Sequence, residues 1–257
     1  MPTVDLVSST SILLSLLTAA VFVLAGTVKG VVGLGLPTIA MALLALLMPP
    51  AEAAALLVVP SLATNVWQLQ PWRTLGPMLR RLAQMQSGTC LGTLAGAWAL
   101  GAPVGAWAMV SLGAALVAYA AWGLSGARLV VGSQAERRLG FPVGVATGFV
   151  TAATGVFVVP AVPYLQALGF EREELLQAMG ISFTVSTVAL AAGLYLNARY
   201  SGAALSLSFV MLLPAWGGMQ LGQWLRQKLS PVVFRRCFLA SLALLGVHMM
   251  ARELLLG

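Results

Sequence analysis

Charged residues are scarce in this sequence. Only 8% of the 257 residues are Asp, Glu, Lys or Arg, whereas an ordinary soluble domain carries about 25%. Hydrophobic residues make up 60% of the chain, and its mean hydropathy is +0.94. This composition excludes a soluble globular protein and indicates an integral membrane protein.

Residues that commonly hold metals or perform catalysis are also few. The chain has one histidine, seven acidic residues and two cysteines. Cys90 and Cys237 fall in or near separate apolar segments and do not form a metal-ligand pair. No GxSxG or HExxH pattern occurs, so we expect no metal and no cofactor. A membrane-embedded enzyme, which would need a nucleophile with a base or a metal cluster, is therefore the weaker alternative.

Ten apolar runs follow one another along the chain. The strand alternation of an outer-membrane barrel is absent, so the pattern predicts an all-α polytopic membrane protein with eight to ten transmembrane segments. Two of the runs, 34–48 and 158–169, are short and are expected to be half-helices or re-entrant segments if they do not cross fully. The ten segments are approximately 8–28, 34–48, 51–69, 80–100, 103–125, 140–156, 158–169, 174–196, 203–224 and 234–254.

The net charge of +7 lies mainly in short loops between apolar runs, and there it indicates topology rather than a nucleic-acid partner. If all ten segments cross, eleven of the fourteen Lys and Arg residues fall on one side. If the two short segments dip and return, the split weakens to eight against five. The positive-inside rule favours ten crossings, with both termini outside and the basic linker 128–139 in the cytoplasm.

The segments also divide into two halves of five, 1–127 and 140–257, joined by that linker. Gly26 and Gly33 have the same spacing as Gly148 and Gly155. Five crossings per half is an odd number, so the second half would be inverted relative to the first. Inverted repeats with broken helices are common in transporters, and their substrate sites lie near the middle of the membrane.

The stretch GTVKGVVGLGLPT places a lysine among helix-breaking residues. Gly33 and Gly35 remove side chains, and Pro37 favours the first turn of a new helix, so a helix break is expected at 33–36. The N–H groups at the start of the next helix, together with Lys29, would bind an anion, with Thr38 beside them. In the alternative, Lys29 extends to the membrane interface and the glycines permit close packing.

A polar helix face follows in the third segment. Ser61, Asn65 and Gln68 occupy positions i, i+4 and i+7, so they share one face. Hydrogen-bonding side chains rarely face lipid. They are predicted either to line a polar cavity that binds substrate or to form interhelical hydrogen bonds that only hold the bundle together.

The second half offers hydroxyl groups in place of a second lysine. Ser182 and Ser186 share a face of the eighth segment. Thr151 and Thr154 lie in the second Gly-containing break, GFVTAATGVFVVP. We include all four among the candidate substrate-binding residues.

Several GxxxG spacings predict close helix packing. They occur at Gly26/Gly30, Gly88/Gly92/Gly96, Gly144/Gly148 and Gly218/Gly222. These faces are available either for contacts within the chain or for a dimer, and the sequence does not fix the oligomeric state.

The motifs AGTVKGVVGLGLPT and MPPAEAAALLVVPSLATNVWQ resemble the sulfite exporter TauE/SafE family of bacterial inner-membrane permeases. A second, weaker copy at GFPVGVATGFVTAATGVFVVP extends the resemblance over nearly the full chain, although the Gly-rich turn is reduced there to TGVF. The resemblance implies transport of a small anion such as sulfite, an organosulfonate or a related carboxylate. A non-transporting assembly subunit is the alternative that the residues leave open.

Overall fold

The computed structural model describes residues 3–127, 129–199 and 202–256, and Arg128 of the basic linker lies outside them. Within the described ranges the backbone forms ten α-helices and no β-strand, which confirms the predicted all-α fold. The helices are α1 (Thr3–Val32), α2 (Leu36–Leu44), α3 (Pro50–Trp67), α4 (Trp72–Leu100), α5 (Gly105–Ser125), α6 (Ser133–Thr154), α7 (Ala161–Ala167), α8 (Arg172–Leu196), α9 (Gly202–Arg226) and α10 (Pro231–Leu256).

Five of the described helices, α1, α5, α8, α9 and α10, are long and apolar enough to cross a bilayer. The chain is therefore a multi-pass membrane protein. α4 and α6 are also long, at 29 and 22 residues, but carry arginines near their starts. α2 and α7 have nine and seven residues, so they rise by about 13 Å and 10 Å. Because the hydrocarbon core is about 30 Å thick, these two are half-helices.

Hydrogen bonds to the connecting loops identify one end of the bundle. Gln177 near the start of α8 donates to the Pro71 carbonyl between α3 and α4 at 2.8 Å. The Val131 N–H before α6 donates to the Ala167 carbonyl at the end of α7 at 2.8 Å. We call this end the basic end because it gathers Arg73, Arg80, Arg81, Arg137, Arg138, Arg172, Arg226, Lys228, Arg235 and Arg236.

Glycine faces join the long helices in pairs. A Cβ added to Gly222 on α9 would lie 2.1 Å from the Thr27 carbonyl oxygen on α1, and one added to Gly144 on α6 would lie 2.0 Å from the Met85 carbonyl oxygen on α4. Only glycine permits backbones to approach so closely. The predicted GxxxG faces are thus buried inside one chain, and a dimer through them would require the pairs to separate.

The paired helices are arranged with a two-fold pattern. Gly26 faces Ala215 and Gly30 faces Met219, so α1 and α9 run parallel. α4 and α6 also run parallel, whereas α5 and α10, which meet at Gly113 and Gly246, run antiparallel. If each of the first five helices is exchanged with its counterpart in the last five, the α1–α9 pair takes the place of the α6–α4 pair. The α5–α10 pair then keeps its place, with its two helices exchanged. The inverted repeat remains a prediction, and this packing favours it.

Candidate functional site

Lys29 lies in the last turn of α1 and is only 3% exposed. Its ammonium group donates a hydrogen bond to Thr64 Oγ1 at 3.1 Å and another to Asn65 Oδ1, both on α3. Side chains of an α-helix tilt toward its N-terminus. This tilt explains why Lys29 reaches back along the bundle to α3.

From the sequence we expect Lys29 and the N–H groups at the start of α2 to bind an anion together. The hydrogen bonds of Lys29 itself go to α3, and Thr38 Oγ1 at the start of α2 has no hydrogen-bond partner among the described residues. The break itself spans Gly33 to Gly35, and Gly35 caps α2 with a φ of 110°. The predicted break is therefore present, and the anion site shared by Lys29 and the α2 N-terminus stays a prediction.

Asn65 connects the lysine to α8. Its amide nitrogen donates to Thr187 Oγ1 at 3.5 Å, and the Thr187 hydroxyl donates to the Phe183 carbonyl at 2.6 Å. The Thr64 hydroxyl donates to the Pro60 carbonyl at 2.7 Å, which leaves its oxygen to accept from Lys29. The polar residues therefore form one directed hydrogen-bond chain across α1, α3 and α8.

No negative charge balances the lysine within the part of the chain that the structure describes. The ion pair recorded there joins Arg81 to Glu136 at the basic end, and the partners of Lys29 are a hydroxyl and an amide. A buried charge is costly unless it is paired. An ammonium group has three N–H donors, so the two recorded bonds leave one for a ligand.

Gln68 lies one turn beyond Asn65 and bridges α3 to the helix break. Its amide nitrogen donates to the Gly33 carbonyl at 2.5 Å, which fixes the amide oxygen as the atom without a partner. Gly33 has a φ of 85°, and a Cβ there would lie 2.7 Å from the Leu176 side chain. A glycine is therefore required where Gln68 meets the break.

A cavity of about 490 Å³ leads to Lys29 from the basic end. Lys29, Gly33 and Gln68 line its inner part, and Glu173 and Arg226 line it nearer the loops. We call this cavity the vestibule. It is large enough for a small solute, and it leads from one side of the protein to the buried lysine.

Four sequence candidates have a buried polar atom without a hydrogen-bond partner among the described residues. They are Thr38, Ser61, Gln68 and Ser186. A fifth such residue, Gln86 on α4, was missed because the polar residues of its stretch AQMQSGT are spread around the helix and define no single polar face. Gln86 donates to Ser182 Oγ at 3.4 Å, so it joins α4 to the polar face of α8. Buried polar groups are nearly always paired, and such atoms therefore mark places for a ligand or water.

The hydroxyls of Thr151 and Thr154 both donate to backbone carbonyls of their own helix, α6. The Thr151 hydroxyl donates to the Thr147 carbonyl at 2.8 Å, within its own helix. Thr154 Oγ1 donates to the Val150 carbonyl at 2.6 Å and accepts from the Val156 N–H at 3.1 Å. Both hydroxyls thus complete the end of α6 instead of extending toward Lys29.

Ser208 on α9 is a further residue that the sequence did not single out. Pro60 inside α3 lacks an N–H, so the Leu56 carbonyl loses its helical partner. The Ser208 hydroxyl donates to that carbonyl at 2.7 Å and accepts from the Val59 N–H at 3.1 Å. It thereby supports the part of α3 that presents Thr64 and Asn65. Only the tertiary structure brings Ser208 to the proline, so no local signal could have identified it.

The family model for the sulfite exporter TauE/SafE matches residues 18–249. The chain belongs to this family. Neither the curated proteins nor the solved structures contain a match. The TauE/SafE match covers both helix breaks and the hydrogen-bond chain around Lys29, and membership indicates a membrane transporter.

Proposed function

We propose that this protein is a permease of the bacterial inner membrane that binds a small anion at Lys29. The observation that supports the proposal most strongly is a buried lysine with neutral partners at the inner end of a vestibule. A bound anion would balance the ammonium charge and offset part of its burial cost. Family membership favours sulfite, an organosulfonate or a related small anion as the substrate.

The neighbouring side chains suit an oxoanion. Ser61 lies one turn from Asn65 on α3, and Ser186 adjoins Thr187 on α8; both hydroxyls are buried without a recorded partner. Hydroxyl groups donate readily to anionic oxygens, and bonds to a charged group are stronger than neutral ones. We infer that these hydroxyls and the third N–H of Lys29 form the inner binding site.

Access differs between the two ends of the bundle. The corresponding region at the opposite end, between the ends of α4, α6 and α8, contains a void of about 10 Å³. Asn197 Nδ2 donates to the Ala97 carbonyl there at 3.1 Å. We propose that transport alternates between this arrangement, open at the basic end, and one in which the end of α8 separates from α4.

The test is anion binding and flux with Lys29→Met, which retains apolar volume but removes the charge. Sulfite, a short sulfonate and a short carboxylate would be titrated calorimetrically against purified protein, and flux would be followed in proteoliposomes. Losing a hydrogen bond to a charged group costs roughly 1.5 to 3 kcal/mol, or about a ten- to hundred-fold loss of affinity. Lys29→Arg should be intermediate because it retains the charge in a different shape.

Two outcomes would contradict the proposal. If folded Lys29→Met bound and moved the anion as well as the parent, the binding site would lie elsewhere. If the folded parent bound none of the three anions and supported no flux, a non-transporting assembly role would be favoured.

A further inference from the structure

A second cavity, of about 430 Å³, lies at the basic end between α4, α6 and α7. It shares no lining residue with the vestibule, which lies between α1, α3, α8 and α9. Arg80 and Arg81 of α4, Ser133 and Arg137 of α6, and Tyr164 of α7 contribute to its walls. The transport pathway proposed above makes no use of this cavity.

One arginine in the cavity is already neutralised. Arg81 binds Glu136 through two hydrogen bonds of 2.7 and 3.0 Å, and its guanidinium lies 4.3 Å from the centre of the Phe170 ring. The Tyr164 hydroxyl donates to the Glu136 backbone carbonyl at 3.0 Å. This fixed ion pair forms the inner wall of the cavity.

The other two arginines have no counter-charge. Arg80 and Arg137 are exposed and make no ion pair or hydrogen bond with the residues that the structure describes. Ser133 beside them is the first residue of the 22-residue helix α6, whose N-terminus adds partial positive charge. The cavity therefore presents two full positive charges to a ligand that supplies negative charge.

Exposed apolar side chains adjoin lining residues of this cavity along the chain. Phe141 follows Gly140, which lines the cavity, lies one turn along α6 from Arg137, and is 43% exposed. Leu79 precedes Arg80 on α4 and is 42% exposed. A soluble anion would use the arginines alone, whereas a phospholipid presents a phosphate and acyl chains to both kinds of surface.

We propose that this cavity binds the headgroup of an anionic phospholipid. The phosphate lies between Arg80 and Arg137, and the acyl chains lie along Phe141, which shares a helix face with Arg137. Arginine suits this role because its planar guanidinium pairs with phosphate oxygens through two hydrogen bonds. The bound lipid would join α4 to α6 at the basic end, beside the Arg81–Glu136 pair.

The experiment is lipid binding to the purified full-length protein by native mass spectrometry. The probes are phosphatidylglycerol, phosphatidylethanolamine and soluble glycerol phosphate, each titrated against the parent and Arg80→Gln/Arg137→Gln. Arg73→Gln/Arg138→Gln is the matched control, because it removes two charges from the same two helices at positions that do not line the cavity. A direct exposed ion pair contributes up to about 1 kcal/mol, so the cavity double variant, which loses two such pairs with the phosphate, should bind phosphatidylglycerol up to about 30-fold more weakly.

The proposal predicts that the control double variant retains phosphatidylglycerol within about three-fold of the parent, since Arg73 and Arg138 do not line the cavity and make no hydrogen bond with the bound phosphate. If both double variants lost phosphatidylglycerol binding equally, the lipid would be attracted to the basic surface in general, and the proposal would be overturned. Equal retention of phosphatidylethanolamine and phosphatidylglycerol by the parent would also overturn it. Binding of glycerol phosphate as tightly as the lipid would assign the cavity to a soluble anion instead.

Discussion

The two helix breaks occupy matching places in the two halves of the chain but differ in chemistry. Lys29 and Thr151 each lie four residues before a glycine with positive φ, Gly33 at 85° and Gly155 at 69°. Each glycine N–H donates to the carbonyl four residues earlier, at 2.7 and 2.8 Å. Lys29 then extends to α3, whereas the Thr151 hydroxyl bonds within its own helix to Thr147.

Under the proposed function, this difference separates a half that binds the anion from a half that supports it. The first break carries a charge that needs partners from other helices and adjoins a vestibule of about 490 Å³. At the second break, the hydroxyls of Thr151 and Thr154 donate to backbone carbonyls of α6. The void beside this break has a volume of about 10 Å³. A similar backbone break can thus carry a buried charge in one half of the chain and adjoin a closely packed region in the other.

Glycine substitutions in the helix pairs should have the largest effect, and should affect both halves alike. Gly222→Ala and Gly144→Ala each place a Cβ within about 2 Å of a backbone oxygen, which no rotamer change can relieve, so the helices must separate. Overpacking costs 1–3 kcal/mol and occasionally more, and we expect a marked loss of monodisperse protein in size-exclusion chromatography. Gly76→Ala is the control, because nothing lies within 4 Å of its added Cβ. If only one of the two substitutions strongly reduced the amount of monodisperse protein, the α1–α9 and α4–α6 pairs would not be equivalent.

Thr151→Val tests whether anion recognition is confined to the first break. It removes a hydroxyl that is bonded only to its own helix and retains nearly the same volume, so we expect anion affinity within about two-fold of the parent. Lys29→Met should lose about ten- to hundred-fold in the same calorimetric titration. A comparable loss in Thr151→Val would show that the second break also contacts the anion.

The sequence predicted the number of helices and the two short ones, but several boundaries moved. α4 begins at Trp72 and α6 at Ser133, whereas the apolar runs begin near 80 and 140. Backbone hydrogen bonding continues through the arginine-rich ends of these helices, because charged residues near the interface do not oppose a helix. Hydropathy therefore locates the part of a helix that crosses lipid rather than its ends.

The sequence predicted residues of the candidate site only where a local pattern indicated them. The cost of burying Lys29 and the shared face of Ser61 and Asn65 are visible in the sequence. The contacts that Lys29 makes with Thr64 and that Ser208 makes with Leu56 join residues at least 35 positions apart, and no local period encodes them. The sequence did not identify Thr64 as a partner of Lys29, because sequence proximity ignores the tilt of a helical side chain.

Asn65→Ala should weaken transport more than it weakens folding. The substitution removes one neutral partner of Lys29 and the link to Thr187, while Thr64 remains and the vestibule admits water. We expect about a ten-fold loss of anion affinity with a nearly unchanged melting temperature. Thr187→Val, which removes only the outer link, should lose less. A large fall in melting temperature with normal transport per folded molecule would show that Asn65 only holds the bundle together.

A moderate effect is expected at the closed end. Asn197→Ala removes the hydrogen bond to the Ala97 carbonyl on α4 and another to the Gly193 carbonyl on α8. A neutral hydrogen bond contributes about 1 kcal/mol net, so we expect the population open at this end to rise about five-fold. Gln177→Ala is the matched control, because it removes an amide that binds backbone carbonyls at the basic end instead.

Leu194 provides a way to measure that opening, because it is 2% exposed and lines the small void at the closed end. With Cys90 and Cys237 replaced by serine, Leu194→Cys would report the void through its rate of reaction with a membrane-impermeant thiol reagent. Asn197→Ala should raise this rate about five-fold, in proportion to the open population, and Gln177→Ala should leave it unchanged or lower it. If Asn197→Ala leaves the rate unchanged in folded protein, Asn197 only caps α8 and the closed end is held by helix packing. In that case the contrast between the two ends would rest on the shape of the bundle alone.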